Sequence, residues 1–147
     1  TPMHAEESAL WSLDRKDGME KAYCCFNSNA RDFARFGQLL LNNGQWDDRQ
    51  LISPAYLAEA TSPDTRLVYK DLGKPNHCYG FQYWILDYKG MKIPYMRGIL
   101  GQYVFTLPEK NAVIVRLGHK RSDTYTADQH YPDDINTWLD AAMDLLQ

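Results

Sequence analysis

The 147 residues carry a formal net charge of −3, are 44% hydrophobic and 13% aromatic, and include three cysteines. That composition fits one globular domain, or a piece of one, with enough apolar side chain for a core. It excludes the basic footprint of a nucleic-acid binder, and no apolar run approaches the roughly 18 residues that a membrane span needs.

Thr1-Pro2-Met3-His4 has neither the basic start nor the apolar stretch of a signal peptide, so the N-terminus reads as a cut end. Through residue 28 the clearest signals are the Asp17-Gly18 turn and the aromatics Trp11, Tyr23 and Phe26, with a short helical turn predicted over 6–13. Asn29 can cap a helix, and Asp32 three residues on favours the same N-terminus through the unpaired N–H groups and the helix dipole. Phe33, Phe36, Gly37, Leu40 and Leu41 then recur at helical spacing, and Asn42-Asn43-Gly44 supplies residues that tolerate a left-handed ending. Residues 45–53 read as a polar connection anchored by Trp46. Ser53 and Pro54 cap and begin a shorter helix through Leu57 and Ala60, which stops before Ser62-Pro63.

Residues 64–77 are loop-like, with 71–76 the densest cluster of breakers. Residues 79–88 and 91–95 are predicted strands around a Lys89-Gly90 turn. Gly98-Ile99-Leu100-Gly101 is a tight segment whose glycines let the backbone come close to something that side chains would block. It leads into a hairpin, strands 102–107 and 112–117 around Pro108-Glu109-Lys110-Asn111. Residues 122–131 form a polar surface loop. Pro132 begins a terminal helix with Asp133 and Asp134 in its first turn and Ile135, Trp138, Leu139, Ala142, Leu145 and Leu146 on one face. The order gives an α+β chain: residues 1–78 mostly helical, and 79–147 an antiparallel sheet of three or four strands with a terminal helix to cover it.

A nucleophile needs its base within reach, and a serine with lysine three residues on places both on one helix face. None of Ser8, Ser12, Ser28, Ser53, Ser62 and Ser122 has that lysine, and no G-x-S-x-G turn occurs. Cys78 stands beside His77, but strand neighbours point to opposite faces, which leaves an inert thiol and a surface imidazole as the plainer reading. His4, His119 and His130 carry no spacing signal. Cys24 and Cys25 are adjacent, a pairing that strains the peptide between them; either can instead pair with Cys78, and the spacing does not choose. With no C-x-x-C or H-x-x-x-H, neither a metal nor a cofactor is expected.

Tyr23 can donate a proton or hydrogen bond. The planar fork of Arg97 suits a carboxylate, although a lone arginine at a strand end is more often a surface charge or a structural pair. The Ile99 N–H can serve an oxyanion hole, and Gly98 and Gly101 can equally be turn glycines. By these residues alone the chain is a globular α+β domain without a complete catalytic set.

Four segments carry a resemblance. Asn29 to Gly44, NARDFARFGQLLLNNG, is similar to the helix "ARDLARFGQLLLNGG" of serine β-lactamase-related hydrolases. Gln45-Trp46 through Leu51-Ile52-Ser53-Pro54 looks like that family's continuation, and Tyr79-Gly80-Phe81-Gln82-Tyr83-Trp84 like its "YG-[YF]-x-W-W" strand. Arg97 to Tyr103 and Pro108 to Leu117 resemble the strand pair bearing its third motif. The family includes class C β-lactamases, related esterases, DD-peptidases and 6-aminohexanoate-dimer hydrolases.

The resemblance implies the C-terminal half of a β-lactamase/transpeptidase-like fold, over 1–147. The S-x-x-K nucleophile and Y-x-N base motifs would lie upstream of Thr1, so the chain alone is expected to be inactive. Where the family usually reads K-[ST]-G, this chain has Met96-Arg97-Gly98, which points toward amide and ester hydrolysis rather than β-lactams. Ile99 is then the oxyanion donor through its backbone N–H, with Arg97, Gly98 and Tyr23 contacting substrate. The implied partners are a small amide or ester substrate, with the missing N-terminal half or a second copy covering the exposed faces. Family habit places such proteins in the bacterial periplasm or cell envelope. The rival reading is a non-catalytic binding module that reuses the half-fold.

Overall fold

A computed structural model describes residues 2–69, 73–128 and 130–146. In chain order its elements are β1 (Leu10–Trp11), β2 (Phe26–Asn27), α1 (Ala30–Leu41), β3 (Gln45–Trp46), β4 (Arg49–Gln50), α2 (Pro54–Ala60), β5 (Val68–Tyr69), β6 (Lys74–Pro75), β7 (Trp84–Tyr88), β8 (Met91–Arg97), β9 (Tyr103–Leu107), β10 (Ala112–Arg116) and α3 (Asp134–Leu145). The fold is α+β. The last four strands form one antiparallel sheet in the order β10-β9-β8-β7, and the other strands pair two by two.

The sheet is a meander of tight turns. Lys89 and Gly90 both take positive φ, 52° and 87°, which matches the twist of β7 and β8 on either side. A short 3-10 turn, Pro108–Lys110, ends on left-handed Asn111 and returns the chain from β9 to β10. β9 is buried along its whole length because both of its faces are covered. On one face Tyr103, Phe105 and Leu107 join Leu86, Ile93, Tyr95 and the α3 residues Ile135 and Leu139 in the core. Each such side chain contributes about 1.5–3 kcal/mol by leaving water. On the other face α1 lies so close that a Cβ on Gly37 would sit 2.5 Å from a Val113 methyl and 3.3 Å from a Val104 methyl.

Local chemistry sets the helix starts. The Asn29 side chain accepts from the Asp32 N–H, and that of Ser53 from the Tyr56 N–H, with Pro54 in the first turn. Five expectations are corrected. The 6–13 segment is not helical: the Asp32 carboxylate takes the Glu6 and Glu7 N–H groups at 2.8 and 3.2 Å, and Trp11 pairs with Phe26 instead. Phe26 in turn meets Phe33 and Phe36 edge-on, so long-range aromatic contact outweighs local preference. The 45–53 connection contains the β3–β4 hairpin, turning at left-handed Asp47. The inward stripe of α1 includes Asp32 and Leu39, while Leu40 and Leu41 are only half-buried.

Strand β7 begins at Trp84, later than expected. Residues 79–83 wrap the end of α2 instead: the Phe81 N–H donates to the Ala60 carbonyl at 2.9 Å, and Gln82 turns left-handed. Pro132 precedes α3 rather than opening it and bridges to Tyr125. The breaker cluster at 71–76 falls partly outside the described residues. No helix among the described residues is long and apolar enough to cross a membrane.

Candidate active-site turn

The turn between β8 and β9 brings together three of the four candidate residues. Arg97 closes β8 opposite Tyr103, and the Gly98 N–H donates to the Gln102 carbonyl at 2.8 Å. Ile99, Leu100 and Gly101 form the loop between. Both glycines are required by close approach. A Cβ on Gly98 would lie 2.4 Å from Gln102 Oε1, and one on Gly101 (φ +84°) would lie 2.2 Å from Arg116 Nη1 and 2.7 Å from the Lys120 carbonyl. Ile99 is 80% exposed, and its N–H has no hydrogen-bond partner among the described residues.

The Arg97 guanidinium lies over the Trp84 ring at 3.4 Å from the centroid, and its Nη1 donates to the His130 carbonyl at 3.0 Å and the Tyr95 hydroxyl at 3.4 Å. It makes no ion pair among the described residues, nor do Arg116 and Arg121. Arg121 and Arg116 reach the Ile99 and Gly101 carbonyls of the turn and Arg97 stands at its start, so three cationic side chains without carboxylate partners among the described residues give the turn a field suited to negative charge. Arg97 is also felt by its buried neighbours. Burial pushes the Cys78 thiol and the Tyr95 hydroxyl up in pKa, and the Arg97 charge partly opposes it at both. Burial also pushes Tyr103 up to about 12, helped by the Asp134 carboxylate and opposed by Arg116.

Tyr23 stands apart. It is 75% exposed in the loop before β2, with no hydrogen bond, ion pair or ring contact to Arg97, Gly98 or Ile99 among the described residues. The adjacent Cys24 and Cys25 are joined as a disulfide and Cys78 is a free, buried thiol, against the expectation that neighbouring cysteines seldom bond. The surrounding turn holds them together: Trp11 Nε1 donates to the Lys21 and Cys24 carbonyls, the Ser12 N–H donates to the Cys25 carbonyl, and Cys25 is left-handed (φ 72°). Both His77 ring nitrogens lie against backbone carbonyls, Nε2 on Asp128 and Nδ1 on Pro75, and no hydrogen bond joins the ring to the buried Cys78 thiol among the described residues. Among the described residues no cluster of three or more His, Cys, Asp or Glu could hold a metal ion.

Sequence reasoning missed Trp84, Gln102, Arg116 and Arg121 as parts of this site. Only the cross-strand position of Arg116, opposite Tyr103, follows from pairing rules once the turn is placed. Two concave surfaces formed by described residues lie elsewhere. One is lined by Leu40, Leu57, Pro94 and Thr106, the other by His77, Ile85, Asp87 and Asp128, and neither includes a residue of the turn.

Neither a family model nor a curated protein matches the chain. Among solved structures, a provisionally named 6-aminohexanoate-dimer hydrolase from Bacillus anthracis is 25% identical and superposes with a TM-score of 0.69. The match covers 98% of this chain and 34% of the other, so the chain spans about a third of that protein's length. The likeness supports a fragment of a hydrolase-like fold of the β-lactamase type.

Proposed function

We propose that residues 1–147 are the C-terminal segment of a β-lactamase-related serine hydrolase that cleaves amide or ester bonds through an acyl-enzyme. The observation that carries this is the exposed, unpartnered Ile99 N–H at the end of β8, in a chain that superposes on a hydrolase of about three times its matched length. An upstream serine supplies the nucleophile, with upstream lysine and tyrosine moving its proton. Ile99 donates its N–H to the oxygen that gains charge as the tetrahedral intermediate forms. A donor of this kind is worth about 10²–10³ in kcat. Gly98 leaves room for the Gln102 side chain beside that N–H. Arg97 keeps N–H groups beyond those given to Tyr95 and His130, and its charge draws the anionic end of a substrate. With arginine in place of the family's lysine-hydroxyl pair, β-lactams are the less favoured substrates.

The test is hydrolysis of p-nitrophenyl esters and nitrocefin by the chain alone. The expected result is a rate at the buffer background, because the nucleophile is upstream. Saturable turnover abolished by Cys78→Ala would overturn the assignment in favour of a Cys–His site.

The second reading, a non-catalytic module, draws on the exposure of Leu10, Met19, Ile99 and Leu100, apolar surface that a partner or second copy would cover. An S-x-x-K motif in upstream sequence decides for the enzyme, and its absence decides for the module.

A further inference from the structure

We infer that Gln102 and Arg121 are positioning residues that hold the Ile99 amide in its donating orientation; the inference rests on the reading of Ile99 as oxyanion donor. The peptide unit that follows Ile99 is held at both ends. Its carbonyl accepts from Arg121 Nε at 3.0 Å, and its N–H, that of Leu100, donates to Gln102 Oε1 at 3.1 Å. Both clamps are themselves anchored. Gln102 Nε2 donates to the Gly118 carbonyl, and Arg121 Nη1 donates to the Ser122 carbonyl at 2.7 Å while its guanidinium lies 5.0 Å from the Tyr125 ring centre.

The neighbouring units are held as well. The Gly98 N–H is taken by the Gln102 carbonyl, and the Gly101 carbonyl accepts from Arg116 Nη1, whose Nη2 donates to the Lys120 carbonyl at 3.0 Å. An exposed three-residue loop with a left-handed glycine would otherwise sample several orientations. Here rotation of the 99–100 peptide breaks two hydrogen bonds at once. The Ile99 N–H belongs to the preceding 98–99 peptide unit, which is flanked on one side by the clamped 99–100 unit and on the other by the Gly98 N–H held on the Gln102 carbonyl, so fixing both neighbours narrows its range and keeps the free donor preorganised. The end of β10 and the segment after it, residues 116–122, thus brace the turn, and the two glycines are the openings through which the Gln102 and Arg116 side chains reach it.

The test is amide NMR on the ¹⁵N-labelled chain, with Gln102→Leu, Gln102→Glu, Arg121→Ala and Arg121→Lys. In the parent chain the Ile99 amide should be as ordered as a strand residue, with an order parameter near ~0.85. In Gln102→Leu and Arg121→Ala it should fall below ~0.6, and Leu100 amide exchange should accelerate at least about tenfold, with β9 amides unchanged. Gln102→Glu keeps the acceptor for Leu100 but loses the donor to the Gly118 carbonyl, so it should restore order in part, and Arg121→Lys, which keeps a cationic donor, should restore it more fully. An Ile99 amide equally ordered in all variants, or no rescue by Glu and Lys, overturns the inference. Should Gln102→Leu lose its β9 amides, Arg121→Ala decides on the same criteria. The oxyanion reading fails separately: unchanged hydrolysis by Ile99→Pro in a form carrying the upstream nucleophile would remove that role while leaving the clamp as measured.

Discussion

The Arg97 guanidinium carbon lies over Trp84, 3.4 Å from the ring centroid, at the point where β8 runs into the Gly98–Gln102 turn. Trp84 pairs with Tyr95 across the β7–β8 ladder, so the stack ties the edge strand to the candidate site. Removing it with Trp84→Leu should lower the unfolding free energy by about 1–2 kcal/mol, the range for a partly desolvated cation–π pair together with lost ring burial. Arg97→Lys should recover only part of that, because an ammonium cannot stack as a plane. Urea titration followed by circular dichroism reads both values.

Gly37 sets propensity against packing. Alanine in a helix interior is favoured over glycine by about 1 kcal/mol. The added Cβ would lie 2.5 Å from a methyl of Val113, a β-branched side chain with little rotamer freedom. Overpacking of this kind typically costs 1–3 kcal/mol, so Gly37→Ala should be destabilising by about 1 kcal/mol or more. A higher melting temperature would show that α1 can slide off the sheet without loss.

Asp32 makes acid stability predictable in sign. The Glu6 N–H, then the Glu7 N–H, the Arg35 charge and Ser28 hold its pKa below the ordinary carboxylate value, against the opposing effect of burial. Its folded pKa is therefore depressed, so its contribution is complete above the unfolded value near ~4 and is lost as pH falls through the folded value. Asp32→Asn should be less stable at neutral pH and show a flatter loss of urea midpoint below about pH 4 than the parent chain.

The disulfide is open to direct counting. Without reductant, alkylation of the unfolded chain should modify Cys78 alone of the three cysteines, and after reduction all three. Because the link joins adjacent residues, it restrains little of the unfolded chain, and reduction should lower stability by only about 1 kcal/mol on chain-entropy grounds.

What could be read in advance followed the range of the forces involved. The caps at Asn29 and Ser53 and the Lys89-Gly90 turn depend on residues within a few positions of one another, and they were legible. Arg97, Gly98 and Ile99 fall in one turn simply because they lie consecutively on the chain. The N-terminal segment was not, because its amides are claimed by Asp32 about 25 residues away and Trp11 by Phe26. The braces of the turn were equally hidden: Gln102, Arg116 and Arg121 look like ordinary polar residues until folding brings their side chains onto the carbonyls and N–H of 99–101. Trp84 became part of the site only when the β7–β8 register placed it beside Arg97.

The most direct measurement compares ester and amide hydrolysis by the chain joined to an upstream polypeptide carrying S-x-x-K with the same protein bearing Ile99→Pro, which removes the N–H and locks φ at that position. The expected result is turnover through a serine acyl-enzyme, reduced about 10²–10³-fold in kcat by the proline with the fold retained. Equal turnover by the two proteins would contradict Ile99 as the oxyanion donor.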